Sequence, residues 1–189
     1  ERGGRVVGVS TAQGEQRGDA VLVAAGAWTA LVSGALSSPA AVRPARGQMV
    51  MVRTRVPICR HVVFGARGYA VPRVDGRLLL GSTMEFAGFD KQVTASGLAS
   101  VLGTGLRLFP GIAAAPVVET WAGFRPHTPD GLPVLGAAPL PGLFLASGHF
   151  RNGILLTPIT ATVLTETLLG KPLTIDLTPF RADRKALTL

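Results

Sequence analysis

A single cysteine, Cys59, among 189 residues excludes an intrachain disulfide and any cysteine-based zinc centre. Long apolar runs are missing too. The longest, around Ala20 to Trp28, falls far short of the ~20 residues that a membrane-crossing helix takes. Charged residues make up only 16% of the chain and aromatic residues 6%. The net charge is +8, yet blocks of like charge are absent, and the arginines stand one at a time from Arg2 to Arg184. Scattered single guanidiniums suit bidentate contacts to carboxylates better than a phosphate-tracking surface, so no nucleic-acid partner is expected. His61, His127 and His149 lie far apart, and no His/Asp/Glu set has metal-ligand spacing, so no metal is expected. A G-x-G-x-x-G fingerprint, a phosphate loop and a G-x-S-x-G elbow are all lacking; Gly103-Thr104-Gly105 has no third glycine and falls in a helical stretch.

What is present is apolar: 47% of residues and a mean hydropathy of +0.38, which exclude disorder and call for a buried core. With no membrane segment and no signal peptide at its start, the chain is expected to be soluble and cytoplasmic. Arg5–Ser10 reads as a strand, hairpinned through Gln13–Gln16 to a second strand over Ala20–Ala24 that should be buried on both faces. A short helix over Thr29–Leu36 follows. Val42–Val52 reads as extended, and Tyr69–Val74 with Arg77–Gly81 as a hairpin whose Asp75-Gly76 suits a tight primed turn. Thr94 caps a helix reaching about Phe109, stopped by Pro110-Gly111. Strands follow over Val117–Arg125, Val134–Leu135 and Leu143–Ser147. Thr157 and Pro158 open a last helix that ends at Leu169 before Gly170. This order implies a mixed α/β (α+β) fold, with a largely antiparallel sheet and flanking helices rather than a βαβ series.

Two segments stand out. Trp121-Ala122-Gly123-Phe124-Arg125-Pro126 sets an arginine at the end of an apolar strand, where a rigid, partly desolvated guanidinium calls for an anion. An ion pair with Asp130, or plain exposure at the strand end, is an equal alternative reading. Gly148-His149-Phe150-Arg151-Asn152-Gly153-Ile154-Leu155-Leu156 joins a buried strand to the last helix. Its backbone N–H groups suit an electron-rich ligand, and Gly148 and Gly153 permit close approach.

Together with Gly68-Tyr69-Ala70-Val71-Pro72-Arg73 and Gly81-Ser82-Thr83-Met84, these strings resemble the flavin-dependent amine oxidases of the D-amino-acid oxidase family. Most of all they resemble the glycine-oxidising members that feed thiamine biosynthesis. The likeness runs from Glu1 to Arg184. In this family the dinucleotide fingerprint precedes the point where the chain starts. The resemblance therefore implies a C-terminal fragment that lacks the N-terminal FAD-binding half. Residues 1–41 are expected to be a residual piece of the FAD-binding domain, 42–120 the substrate-binding domain, and 121–189 the return into the FAD-binding domain.

The resemblance implies noncovalent FAD, a small amino-acid substrate such as glycine, and molecular oxygen as partners, with homo-oligomer formation compatible. The flavin carries the oxidation, so no residue is assigned a catalytic acid or base role. Arg125 is expected to grip the substrate carboxylate, with Tyr69, Arg151 and Met84 also touching substrate. The run His149, Phe150, Arg151, Asn152, Gly153, Ile154 and Leu155 is expected to lie along the flavin, with Ala25 and Gly26 as a small-residue turn beside it. Arg46-Gly47-Gln48 resembles a strand passing near the ring. A sarcosine oxidase or D-amino-acid dehydrogenase relative, or a catalytically incomplete fragment, is the alternative.

Overall fold

The structure is a computed structural model that describes residues 1–32 and 42–187. It divides into two compact units, one formed by Glu1–Pro44 with Arg125–Leu189 and the other by Ala45–Phe124. The fold is the expected mixed α/β arrangement. Every strand pairing whose register is described is antiparallel except one.

In the first unit, β1 (Gly8–Thr11) and β2 (Gly14–Arg17) form an antiparallel hairpin. The expected turn residues Gly14–Gln16 are thus themselves strand, and the run after them is not the hairpin partner. That run supplies β3 (Val21–Val23), which is the parallel exception, pairing with Leu143–Leu145. Its expected burial on both faces fails. β3 is the edge of a three-stranded sheet, with Val23 buried and Leu22 exposed. Gly26–Leu31 is a 3-10 helix; the rest of the expected helix, residues 33–36, lies outside the described residues.

The second unit is built on β4 (Arg43–Arg53), which starts just before it. Its sheet continues with β5 (Val63–Gly65), β6 (Gly68–Pro72) and β7 (Arg77–Gly81), and the strand order is completed on the other side of β4 by Val117–His127. The β6–β7 hairpin forms where expected, with a different turn. Arg73 N–H donates to the Arg77 carbonyl and Gly76 N–H to the Arg73 carbonyl, and only Gly76 has positive φ (80°). That is a type I turn closed by a left-handed glycine, not a two-residue primed turn. Helix α1 (Ala95–Leu108) packs on β6 and β7. Thr94 caps it, its hydroxyl accepting from Gly97 N–H at 3.1 Å. Gly97 is there for closeness: a Cβ would stand 2.3 Å from the Gln48 side chain. The core of this unit joins Val50, Val52, Ala70, Leu78, Leu80 and Val101. A fully buried leucine such as Leu80 contributes about 1.5–3 kcal/mol.

After β8 (Val117–His127) the chain returns to the first unit. There β9 (Val134–Ala137) and β10 (Leu143–Ser147) complete the sheet in the order β3-β10-β9. Helix α2 spans Gly153–Leu168, starting five residues before the expected Pro158. Pro158 is therefore inside the helix, and Thr157 does not cap it but donates to the Gly153 carbonyl at 2.8 Å.

Candidate functional site

The parallel pairing of β3 and β10 sets the carboxyl ends of both strands at the same edge of the sheet. Such an edge is where α/β sheets receive ligands, because the loops beyond it and the helix start after them converge there. Ala25 and Gly26 leave the end of β3, and Gly148 leaves the end of β10. Hydroxyls lock the two exits together. Buried Ser147 donates to the Gly26 carbonyl at 2.9 Å, and the Thr29 hydroxyl lies 2.8 Å from Ser147 Oγ and 2.7 Å from the same carbonyl. Gly26 has φ 53° and no described residue within 4 Å of where a Cβ would stand.

Gly148 is the opposite case. With φ 78°, a Cβ on it would meet Thr128 Cγ2 at 2.7 Å, so only glycine fits. The chain then turns sharply, Asn152 N–H donating to the His149 carbonyl at 2.9 Å. Phe150 takes φ 50°, a conformation that costs a non-glycine residue about 1 kcal/mol or more. Three contacts hold it: its N–H donates to the Pro126 carbonyl at 2.9 Å, its ring meets His127 edge-on at 5.1 Å, and the Arg151 guanidinium sits 5.0 Å over its face. His149 reaches forward along α2, one ring nitrogen 3.0 Å from the Thr160 hydroxyl. Burial holds its imidazole below the usual histidine range and so favours the neutral ring.

Ile154 and Leu155 are not loop residues, as the sequence suggested, but the first turn of α2. Both are exposed, Ile154 at 94% and Leu155 at 80%. No side chain caps the helix and no acid lies in its first turn. The N–H groups of Gly153, Ile154 and Leu155 have no partner among the described residues.

Arg125 is half-buried at the end of β8, one residue before the carbonyl that receives Phe150 N–H. The two segments singled out in the sequence thus meet. Asp130, the acid offered for Arg125 in the alternative reading, is held by another guanidinium. Arg184 donates to its two oxygens at 2.7 and 3.0 Å and to the Leu132 and Pro133 carbonyls. That charge keeps the Asp130 carboxyl below its usual range.

In the second unit, Tyr69 is half-buried at the start of β6, and its hydroxyl lies 3.7 Å from Met49 Sδ, a weak acceptor. Met84 is 48% exposed. Arg46 and Gln48 are not open to a ring; both are buried in a polar lock. Arg46 donates Nε to Glu85 at 2.9 Å and pairs again with Glu85 through Nη2. Its Nη1 reaches Asp90 Oδ2 at 2.8 Å and the Asp90 and Gln92 carbonyls. Gln48 donates to Glu85 Oε1 and to the Thr94 hydroxyl, and accepts Thr94 N–H. Burial pushes the Glu85 carboxyl up, but hydrogen bonds from Thr83, Arg46 and Gln48 outweigh it and the group stays below the usual range. Glu85, Asp90 and Thr94 were missed as members of this lock. The only sequence sign was a pair of polar residues, Arg46 and Gln48, at alternate positions inside a strand that runs on as Met49–Val52.

The described residues contain no metal-ligating cluster and no helix long and apolar enough to cross a membrane. The family model for FAD dependent oxidoreductases, DAO, matches residues 1–167. A glycine oxidase of Pseudomonas aeruginosa is 40% identical over 94% of this chain and 49% of its own length. A bifunctional protein ThiO/ThiG of Synechocystis is 40% identical over 90% of the chain and 26% of its own. The crystal structure of glycine oxidase from Geobacillus kaustophilus superposes with a TM-score of 0.87 at 40% identity, over 93% of this chain and 48% of that one. The chain spans about half the length of the glycine oxidases it matches.

Proposed function

The chain belongs to the DAO family of FAD-dependent oxidoreductases, and on that premise we propose that it serves in the oxidation of glycine or another small amino acid to the imino acid, with hydrogen peroxide released, as a step toward thiamine. FAD is held noncovalently, and molecular oxygen is the final oxidant. Residues 1–41 and 121–189 form the flavin side and residues 42–120 the substrate side. The G-x-G-x-x-G element that holds the ADP part of FAD in this family is not among the 189 residues, so they supply the ring side of the cofactor site.

One observation carries the reading: Gly26, Gly148 and the start of α2 converge at the carboxyl edge of β3 and β10, and Phe150 N–H on the Pro126 carbonyl brings Arg125 to the same turn. The donor set fits the cofactor. Three N–H groups without partners among the described residues, beside exposed Ile154 and Leu155, suit a flat conjugated ring with a polar carbonyl edge. Among the described residues, nothing crowds the outer face of Gly26 against it.

Bound flavin supplies the two-electron acceptor. The protein's part is placement and electrostatics. The Arg125 fork takes the substrate carboxylate through two parallel charge-assisted hydrogen bonds, which fixes its orientation as well as binding it. Arg151, held against Phe150, adds a second positive charge on the same turn. The N–H groups at the helix start would face the carbonyl edge of a bound ring and favour negative charge there. In the second unit, Tyr69 offers a hydroxyl whose contact with a thioether yields readily to a carboxylate, and Met84 is an apolar contact for substrate.

The test is oxygen uptake by the FAD-loaded protein with glycine, sarcosine and D-alanine. Arg125→Lys keeps the charge and loses the fork. KM for glycine should rise roughly 10- to 100-fold, the equivalent of one charged hydrogen bond, with the bound-flavin spectrum unchanged. An unaltered KM removes Arg125 from this role. A protein that never takes up flavin overturns the reading.

A further inference from the structure

Among the described residues beyond α2, the tail of the chain forms only two short 3-10 turns, Thr178–Phe180 and Lys185–Leu187. Apolar residues fasten it to the first unit. Leu177 packs with Leu135 of β9 and Val163 of α2, and Ala182 and Leu187 join the core of Val134, Leu143 and Leu145. Arg184 lies between those last two anchors, its side chain only 10% exposed. Its Nε donates to Asp130 Oδ2 at 2.7 Å, and Nη2 donates to Asp130 Oδ1 at 3.0 Å and to the Leu132 carbonyl at 2.9 Å. Nη1 donates to the Pro133 carbonyl at 3.1 Å.

All of those acceptors belong to the loop between β8 and β9. Within it, Gly131 N–H donates to the Thr128 carbonyl at 3.1 Å and Leu132 N–H to Asp130 Oδ1 at 3.1 Å. The buried Thr128 hydroxyl donates at 2.8 Å to the same Leu132 carbonyl that receives Arg184. This loop is the floor under Gly148. A Cβ on Gly148 would stand 2.7 Å from Thr128 Cγ2, 3.3 Å from Val134 N and 3.4 Å from Pro133 Cα. The turn that follows is tied to the same stretch of chain, since Phe150 N–H donates to the Pro126 carbonyl.

An exposed ion pair holds little shape. This one is bidentate, largely buried and extended to two main-chain carbonyls, so it fixes the loop in one geometry. We infer that Arg184 is a positioning residue: from the tail it sets the floor on which Gly148–Phe150 rest, and so the place where the N–H groups at the start of α2 meet the flavin. The inference deepens the oxidase reading and rests on it.

The experiment titrates FAD, by its fluorescence, into wild type, Arg184→Gln, Arg184→Lys, Asp130→Asn and Arg181→Gln at a temperature where each is folded by far-UV circular dichroism. Arg184→Gln and Asp130→Asn should each weaken FAD about tenfold, the loss of one hydrogen bond from the turn, and should change the visible circular dichroism of the flavin that binds. Arg184→Lys keeps the charge without the fork and should fall between them and wild type. The double variant Arg184→Gln/Asp130→Asn should bind no more weakly than Arg184→Gln, because both act through one contact. Arg181→Gln removes a guanidinium that pairs with exposed Asp183, and it should match wild type. Asp130→Asn keeps an oxygen for Leu132 N–H and so retains the comparison where Arg184→Gln does not fold. Wild-type affinity and flavin dichroism in folded Asp130→Asn, or an equal loss in Arg181→Gln, overturns the inference and leaves the oxidase reading standing. A wild type that takes up no FAD overturns both.

Discussion

The lock in the second unit and the turn in the first treat their polar groups in opposite ways. Around Arg46 every nitrogen of a buried guanidinium has an acceptor, and Gln48 is fully engaged with no exposure at all. At the start of α2, three N–H groups have no partner among the described residues, and large apolar side chains stand open beside them. A saturated network holds shape, because each bond satisfied inside the protein leaves nothing for a ligand. An unsaturated donor set next to apolar surface is built for something that arrives. Burial and donor–acceptor accounting thus rank the two regions in opposite order as places for a ligand.

The largest effect that tests this contrast is expected at the lock. Arg46→Ala leaves Glu85 and Asp90 without their guanidinium and should lower the urea midpoint more than any other single substitution considered. Folded protein recovered at low temperature should still take up FAD. Lost flavin affinity in a variant that remains folded would erase the distinction between the two regions.

Next comes Gly148→Ala, where a Cβ meets Thr128 at 2.7 Å and φ is 78°. Strain and crowding together should cost about 2 kcal/mol, and here FAD affinity should fall as well, measured by fluorescence titration. An affinity equal to wild type would show that the turn does not face the flavin.

The smallest effect is shared by both regions and appears only in acid. Glu85 and Asp130 have carboxyl groups held below their usual range, so each stabilises the fold above its unfolded value of about 4 and stops doing so as pH drops through the lower folded one. Urea midpoints should be level from pH 7 to 5 and decline toward pH 3. A midpoint that holds steady to pH 3 contradicts these pairings.

Much of the fold was legible because local chemistry decided it. Asp75-Gly76 marked its hairpin, Thr94 its helix cap, and the apolar run of β4 its long strand. β2 was not legible, since all four of its residues are exposed and no alternation marks them. The start of α2 was obscured by Pro158, which normally opens a helix. Here its missing N–H falls opposite the carbonyl of exposed Ile154, where the loss is cheapest. At the site, the strings around Arg125 and Gly148 were conspicuous, and their meeting at Phe150 was not, because it takes a fold to bring them together. The lock was hidden for the same reason: its acids lie 39 and 44 residues from Arg46. So was the true partner of Asp130, 54 residues away in Arg184.

The parallel pairing of β3 with β10 has a consequence for biosynthesis. Val21–Val23 must find Leu143–Leu145, and the ribosome delivers that partner more than a hundred residues later. At ordinary translation speeds the earlier strand waits roughly 6–25 s with its valines uncovered. Meanwhile Ala45–Phe124 has emerged whole and can collapse around its own sheet. The nascent chain therefore passes through a stage in which Ala45–Phe124 is finished while Val21–Val23 is still sticky, and slowing translation after Phe124 would lengthen that hazard.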